Sequence, residues 1–146
     1  MEVLWMDFYI GDKEEVLIET RDLMYFSETR LINIPRKIVM NFFQEDRPVG
    51  FVSFDVRWIN RNAYITYYVI SEARGIGLGK KMLLMAMDFA FNELNLNRLT
   101  AEVYEYNKPS IKLLESTGFE LEGVIKNGKF YNGKYHNIRI YGYLRR

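Results

Sequence analysis

The stretch YYVISEARGIGLGKKML, residues 67–83, decides the fold. It reads as the end of a strand, a turn with glycine at 75, 77 and 79, and the start of a helix. N–H groups at a helix start attract anions, helped by the helix dipole. Glycines let a ligand approach the main chain and allow conformations that a Cβ forbids. Lys80 and Lys81 lie in the first helical turn, where an isolated helix prefers acids, and fit beside a phosphate. Two common nucleotide loops fail on spacing. A Walker A loop needs Gly at 73 or 74 and Ser or Thr at 81, where the chain has Ala73, Arg74 and Lys81. The dinucleotide fingerprint needs a further glycine at Lys80 or Met82. The plain alternative is a tight strand-to-helix turn with no ligand.

The helix after the loop is apolar over most of its circumference, through Leu78, Met82, Leu83, Met85, Ala86, Phe89 and Ala90. Its polar stripe is Lys81, Asp88 and Asn92, the pattern of a helix pressed against a sheet as far as about residue 94. Before the loop, residues 37–44, 49–59 and 63–70 read as three strands of an antiparallel meander with turns at EDRP and NRN. Residues 2–10 read as a first strand, and DKEEVLIETRDLMYF as a helix capped by Asp12. After the helix comes a strand at 98–104, then a helix at about 109–117 set by Pro109 and Gly118. Two last antiparallel strands are expected at 119–125 and 134–144, with Asn132-Gly133 as a hairpin signal. The predicted order is strand, helix, three strands, helix, strand, helix, two strands, which is not a regular βαβ alternation.

The chain has 146 residues, 49% of them hydrophobic, and 20 basic against 19 acidic residues. A single α+β domain over 1–146 is expected, and a main partner of nucleic acid is not, because a strong basic excess is missing. With no cysteine and one histidine, His136, thiolate chemistry is excluded and a His/Cys zinc site is not expected. No signal peptide and no membrane-spanning run is read, so a cytoplasmic protein is expected, as a monomer or homodimer.

Two stretches together resemble the GCN5-related N-acetyltransferase (GNAT) superfamily. YYVISEARGIGLGKKML is similar to its acyl-CoA loop, with Arg74, Gly77 and Gly79 in the motif positions. AEVYEYNKPSIKLLESTGFELEG, residues 101–123, is similar to its next strand, Asn-x-x-Ser element, helix and Gly-Phe turn. The match is good over 37–146 and follows only element order over 1–36. The resemblance implies a mostly antiparallel twisted sheet, splayed between strands 4 and 5 and flanked by helices on both faces. It implies acetyl-CoA as cosubstrate and no metal. The pantetheine arm would lie along the main chain of Tyr67, Tyr68 and Val69. The pyrophosphate would sit on the N–H groups of Gly75, Ile76, Gly77, Leu78, Gly79 and Lys80, flanked by Arg74. Asn107 and Ser110 would contact the cofactor, although Asn107 also reads as a plain helix cap.

The implied activity is acetyl transfer to a primary amine of a small molecule or peptide. A nucleotide-linked amino sugar or a protein N-terminus comes from the tail EGVIKNGKFYNGKYHNIRIYGYLRR, which resembles the ribosomal-protein and amino-sugar branch with Asn137 in place of an aspartate. By the same resemblance the Val69 N–H is the oxyanion donor and Glu102 the base, with Tyr68, Tyr104 and His136 as weaker candidates. The tyrosine that serves many relatives as acid is replaced by Leu114, which supports the alternative of a non-catalytic CoA-binding regulatory module. Tyr104, Tyr106, Phe130, Tyr131 and Tyr135 are read first as sheet packing, and second as a surface for a base or sugar. Arg57, Arg61 and Arg98 read as solvated surface.

Overall fold

The computed structural model describes residues 5–10 and 36–146. The strands are β1 (Trp5–Ile10), β2 (Lys37–Gln44), β3 (Arg47–Arg57), β4 (Asn62–Val69), β5 (Arg98–Tyr104), β6 (Glu120–Tyr131) and β7 (Lys134–Leu144). The helices are α1 (Leu78–Asn92) and α2 (Lys108–Ser116), with a single 3-10 turn at Ser71–Ala73 between β4 and α1. The described strands form one sheet in the order β1-β2-β3-β4-β5-β7-β6. All neighbours run antiparallel except β4 and β5, which run parallel. The helix expected over 12–26 lies outside the described residues.

Side chains alternate across a strand, so register decides the core. Ile38 pairs with Phe54 and Phe54 with Ile65, while Ile65 pairs with Ala101 and Ala101 with Tyr141. These five positions therefore share one face, and all of them are buried. Against that face α1 sets Met82, Leu83, Ala86, Phe89 and Ala90, each almost inaccessible. The Phe54 and Phe89 rings lie 6.3 Å apart between centroids. Helix α2 packs on the same face, since the Tyr141 hydroxyl donates to Glu115 at 2.8 Å. Each fully buried Leu or Phe contributes about 1.5–3 kcal/mol.

Gly50 on β3 is where main chains come closest. A Cβ built there would lie 2.3 Å from the Tyr68 carbonyl oxygen and 2.7 Å from Met82 Cε. The β3–β4 pairing and the seat of α1 both depend on the missing side chain.

The last strand pair departs from the sequence reading. β6 runs on to Tyr131, well past the expected end near 125. The chain holds two Asn-Gly pairs, and only the second makes the turn, with Asn132 at φ 53° and Gly133 at φ 76°. The first, Asn127-Gly128, is absorbed in a bulge between Ile125 and Lys129. There the Asn127 N–H donates to Asn137 Oδ1 at 3.0 Å.

A second bulge, between Leu121 and Gly123, turns Glu122 over Gly142, where a Cβ would meet its carboxylate. Arg98 holds that carboxylate by two bonds, of 2.8 and 2.6 Å. The Arg98 hydrogen bond keeps the Glu122 carboxyl below its ordinary value. A depressed carboxylate pKa stabilises the fold above the unfolded value, about 4.3, and the contribution is lost as pH falls through the folded value. Both side chains are about a third exposed, so the contribution is about 1 kcal/mol or less. Urea unfolding should therefore find Glu122→Gln less stable than wild type at pH 7, with the gap narrowing toward pH 3.

Candidate active site

β4 and β5 stay paired for only four residues, from Asn62↔Arg98 to Ile65↔Ala101. Beyond that point the strands part, and a cavity of about 610 Å³ opens. Tyr64 to Tyr67 line one wall and Glu102 to Tyr104 the other, with Arg57, Asn107 and Ser110 completing it. The edge that β4 turns to this opening follows from alternation. The Ile70 N–H donates to the Val49 carbonyl on β3 at 2.9 Å. Residues 69 and 67 therefore aim their N–H and C=O groups the other way, toward the opening, while Tyr68 aims its own at β3.

This geometry sorts the expected main-chain contacts. Tyr67 and Val69 face the opening. Tyr68 differs from the expectation: its main chain is turned to β3, and only its side chain, 48% exposed, is open to solvent. Of the three, Tyr67 alone lines the cavity.

At the far end of β4 the glycine loop is open. Gly75 and Gly77 have φ of 80° and 78°, and nothing lies within 4 Å of where a Cβ would stand. These positive angles favour glycine. Ile76 between them is 69% exposed. Gly77 precedes the first helical residue, and no acid stands in the first turn of α1. Leu78 is buried in the core and fixes the start of the helix, leaving its N–H as what it can offer a ligand. A Cβ at Gly79 would come into ordinary contact with Val69 and Leu113, while Lys80 and Lys81 are exposed. Arg74 is turned toward β4: its Nε donates to the Val69 carbonyl at 2.8 Å, and its guanidinium lies 5.4 Å from the Tyr68 ring centroid. The carbonyl that β5 leaves unpaired is thereby satisfied by a side chain.

Asn107 is a helix cap, its Oδ1 accepting from the Ser110 N–H at 3.3 Å. Its cap reading is in place, and it lines the cavity as well. Ser110 Oγ is hydrogen-bonded to the Tyr67 hydroxyl, which ties α2 to β4 across the opening. Burial raises the Tyr67 phenol above its ordinary value, the Ser110 bond pulling the other way, so at neutral pH it keeps its proton. The pair was not legible in the sequence, because 43 residues separate its members.

Leu114 is fully buried and points into the core. Replacing it with tyrosine should not restore an acid. Leu114→Tyr is expected to lower stability by about 1–3 kcal/mol through overpacking. Thermal unfolding alongside kcat checks this, with no gain in kcat expected.

Glu102 stands on the cavity wall, exposed, one residue past the last β4–β5 pair. Tyr104 shares that wall, whereas His136 sits on β7 with its ring edge-on to Tyr106 at 4.9 Å. The three arginines are each engaged, Arg57 with Asp55, Arg61 with Asn95 and Arg98 with Glu122. Arg57 also covers the Tyr64 ring and reaches the cavity, which its reading as bare surface missed. The signal was the alternation of Tyr64, Thr66 and Tyr68 on the face away from the core. Asn137 belongs to the frame: its N–H donates to the Glu105 carboxylate and its carbonyl accepts the Glu105 N–H at 3.0 Å. Among the described residues no group of His, Asp or Glu is placed to hold a metal ion, and no helix is long and apolar enough to cross a membrane.

Comparison with known proteins fits this arrangement. The model of the Acetyltransferase (GNAT) family matches residues 1–119. An uncharacterized N-acetyltransferase of Bacillus subtilis, YokL, is 37% identical over 87 residues, 58% of this chain and 49% of that protein. The spermidine N(1)-acetyltransferase of Vibrio cholerae is 28% identical over 108 residues, covering 73% of this chain and 62% of its own. A dodecameric structure of a spermidine N-acetyltransferase from Vibrio cholerae superposes with a TM-score of 0.76 over 97% of this chain and 93% of its own, at 20% identity. RimJ from Mycobacterium smegmatis, solved with a CoA disulfide, gives 0.68 at 26% identity over 75% of this chain and 53% of its own. This chain spans about half to three fifths of the length of the first curated relatives it matches. With a family model covering most of its length and the parted β4–β5 sheet in place, the chain belongs to the acetyltransferase (GNAT) family.

Proposed function

We propose that the chain moves an acetyl group from acetyl-CoA to a primary amine. The observation that carries this is the parting of β4 and β5 after Ile65 and Ala101, beside a glycine loop whose N–H groups are open. Tyr67 and Val69 offer edge groups to a pantetheine amide, as a neighbouring strand would. The N–H groups of residues 75–80 and the ammonium groups of Lys80 and Lys81 suit a pyrophosphate. Arg74 is one side-chain rotation from that charge, and Asn107 and Ser110 border the arm from α2. Acetyl-CoA, when bound, supplies an activated acyl carbonyl and a thiol leaving group.

The chain's own residues supply the rest. Glu102, directly or through a water, takes a proton from the incoming amine. The N–H of Tyr67 faces the cavity that Glu102 lines and is the better placed oxyanion donor, one strand repeat back from Val69. The Tyr67–Ser110 hydroxyl pair, which borders the cavity, is assigned here as the donor to the departing sulfur, since Leu114 brings none. The two walls hold amine and carbonyl in one pose, which is the larger part of the rate in such transfers.

A second reading, a CoA-binding regulatory module, is favoured by Leu114 alone. One experiment separates them: acetyl-CoA titration followed by a thiol-release screen over amino sugars, polyamines and peptide N-termini. Binding with release from some amine supports transfer. Binding with no release from any amine supports the module. Absence of CoA binding rejects both.

A further inference from the structure

The free edge of β4 carries a side chain of its own. Arg74 Nε donates to the Val69 carbonyl at 2.8 Å. That oxygen is the acceptor a pantetheine amide would use if it lay along the edge as a strand does. The Arg74 guanidinium also lies 5.4 Å from the ring centroid of Tyr68, whose side chain is half exposed. One polar contact and one cation–π contact therefore hold it over β4 and away from the glycine loop.

Neither contact neutralises its charge. Among the described residues no carboxylate lies within ion-pair distance of Arg74, and its acidic neighbour Glu72 is 3.7 Å from Arg47 instead. The guanidinium is always charged, and a neutral carbonyl is a poorer partner for it than a phosphate oxygen. Phosphate accepts shorter, charge-assisted bonds, often two at once. The main-chain N–H of Arg74 donates to the Ser71 carbonyl at 3.3 Å. The backbone is thus tied to the 3-10 turn, and the exposed side chain is the part free to turn. Gly75 follows at once with φ 80°, so the loop that suits a pyrophosphate starts one residue from this pivot.

We infer that Arg74 selects the acyl donor, an inference that rests on the acetyl-transfer reading. Its side chain occupies the Val69 carbonyl and yields it to a ligand whose pyrophosphate draws the guanidinium to the loop. A thioester on CoA brings that charge. A thioester on bare pantetheine does not, and has to displace Arg74 with an amide alone. Exchange of one partner for a stronger one raises the affinity of the ligand that brings the charge. It lowers the affinity of the ligand that lacks it, since the open edge is then only a fraction of the population.

Arg74→Met tests this, because methionine keeps an apolar stem beside Tyr68 and has no donor. CoA and pantetheine, both kept reduced, are titrated into wild type and variant by calorimetry. The variant should bind CoA about three- to tenfold more weakly, through loss of a charge-assisted contact. It should bind pantetheine at least about threefold more tightly, through an unoccupied carbonyl. A site merely loosened by the substitution would lose affinity for both ligands, so the opposite signs identify the exchange. Amide NMR shifts of Tyr67 and Val69 supply the pantetheine Kd where the heat is too small. If Arg74→Met is unfolded in a thermal scan, Arg74→Ala takes its place with the same signs expected. Pantetheine bound no more tightly by the variant, pantetheine undetected in both proteins, or CoA affinity unchanged overturns the proposal. With CoA binding to the wild type intact, each of these leaves the acetyl-transfer reading standing. Absence of CoA binding in the wild type overturns both.

Discussion

Glu102→Gln is expected to lower kcat by about a hundredfold or more, the usual contribution of a placed general base. The substitution keeps the size and hydrogen-bonding shape of the side chain and removes only its ability to take a proton. Glu102 is exposed on the cavity wall and makes no ion pair among the described residues, so stability should change by about 0.5 kcal/mol or less. No residue of the glycine loop lines the cavity that Glu102 borders, so the KM for acetyl-CoA should stay the same. The acidic limb of the kcat/KM profile should disappear, and Glu102→Asp should recover part of the rate. An unchanged rate with an unchanged acidic limb removes Glu102 from the chemistry, and the screen then passes to Tyr104 and Tyr68.

Gly50→Ala should have the largest effect on stability, about 3 kcal/mol, or about 10 °C in Tm for a chain of this size. The new methyl meets the Tyr68 carbonyl at 2.3 Å. That atom is main chain in a paired strand and cannot swing aside, unlike the Met82 methyl beside it. Relief must come from pushing β4 away from β3, which also shifts the edge where Tyr67 and Val69 face the opening. CoA affinity should therefore fall together with Tm. A variant that loses less than about 1 kcal/mol in urea unfolding shows that β3 yields more easily than the geometry implies.

The fold was legible where one residue type forces one conformation. Gly75 and Gly77 at positive φ, Asn107 as a cap, and Asn132-Gly133 as a hairpin turn each act within a few residues of themselves. The core was legible as well, because strand alternation and the apolar girth of α1 need no partner to be read. Contacts that depend on register were not. The Tyr67–Ser110 bond, the turning of Tyr68 toward β3, and the bulge that absorbs Asn127-Gly128 follow from which strand lies opposite. No local pattern states that. Arg74 shows the same limit: the motif gave its position in the loop, whereas the unpaired Val69 carbonyl decides where its guanidinium points.

The four-residue β4–β5 seam also bears on the order in which the chain folds. The pairs β2–β3 and β3–β4 close across short turns, and β6–β7 across Asn132-Gly133, so each forms at little loop entropy. The seam joins Asn62 to Arg98 across the whole of α1, and β5 meets β7 only after α2 and β6 have been laid down. Two local sheets should therefore form first and join last, with few main-chain bonds to hold the join. Ala63 and Ala101 at the seam are buried and small. Changes there, such as Ala101→Gly, should slow folding less than they speed unfolding, and a chevron plot would show the unfolding limb moving most.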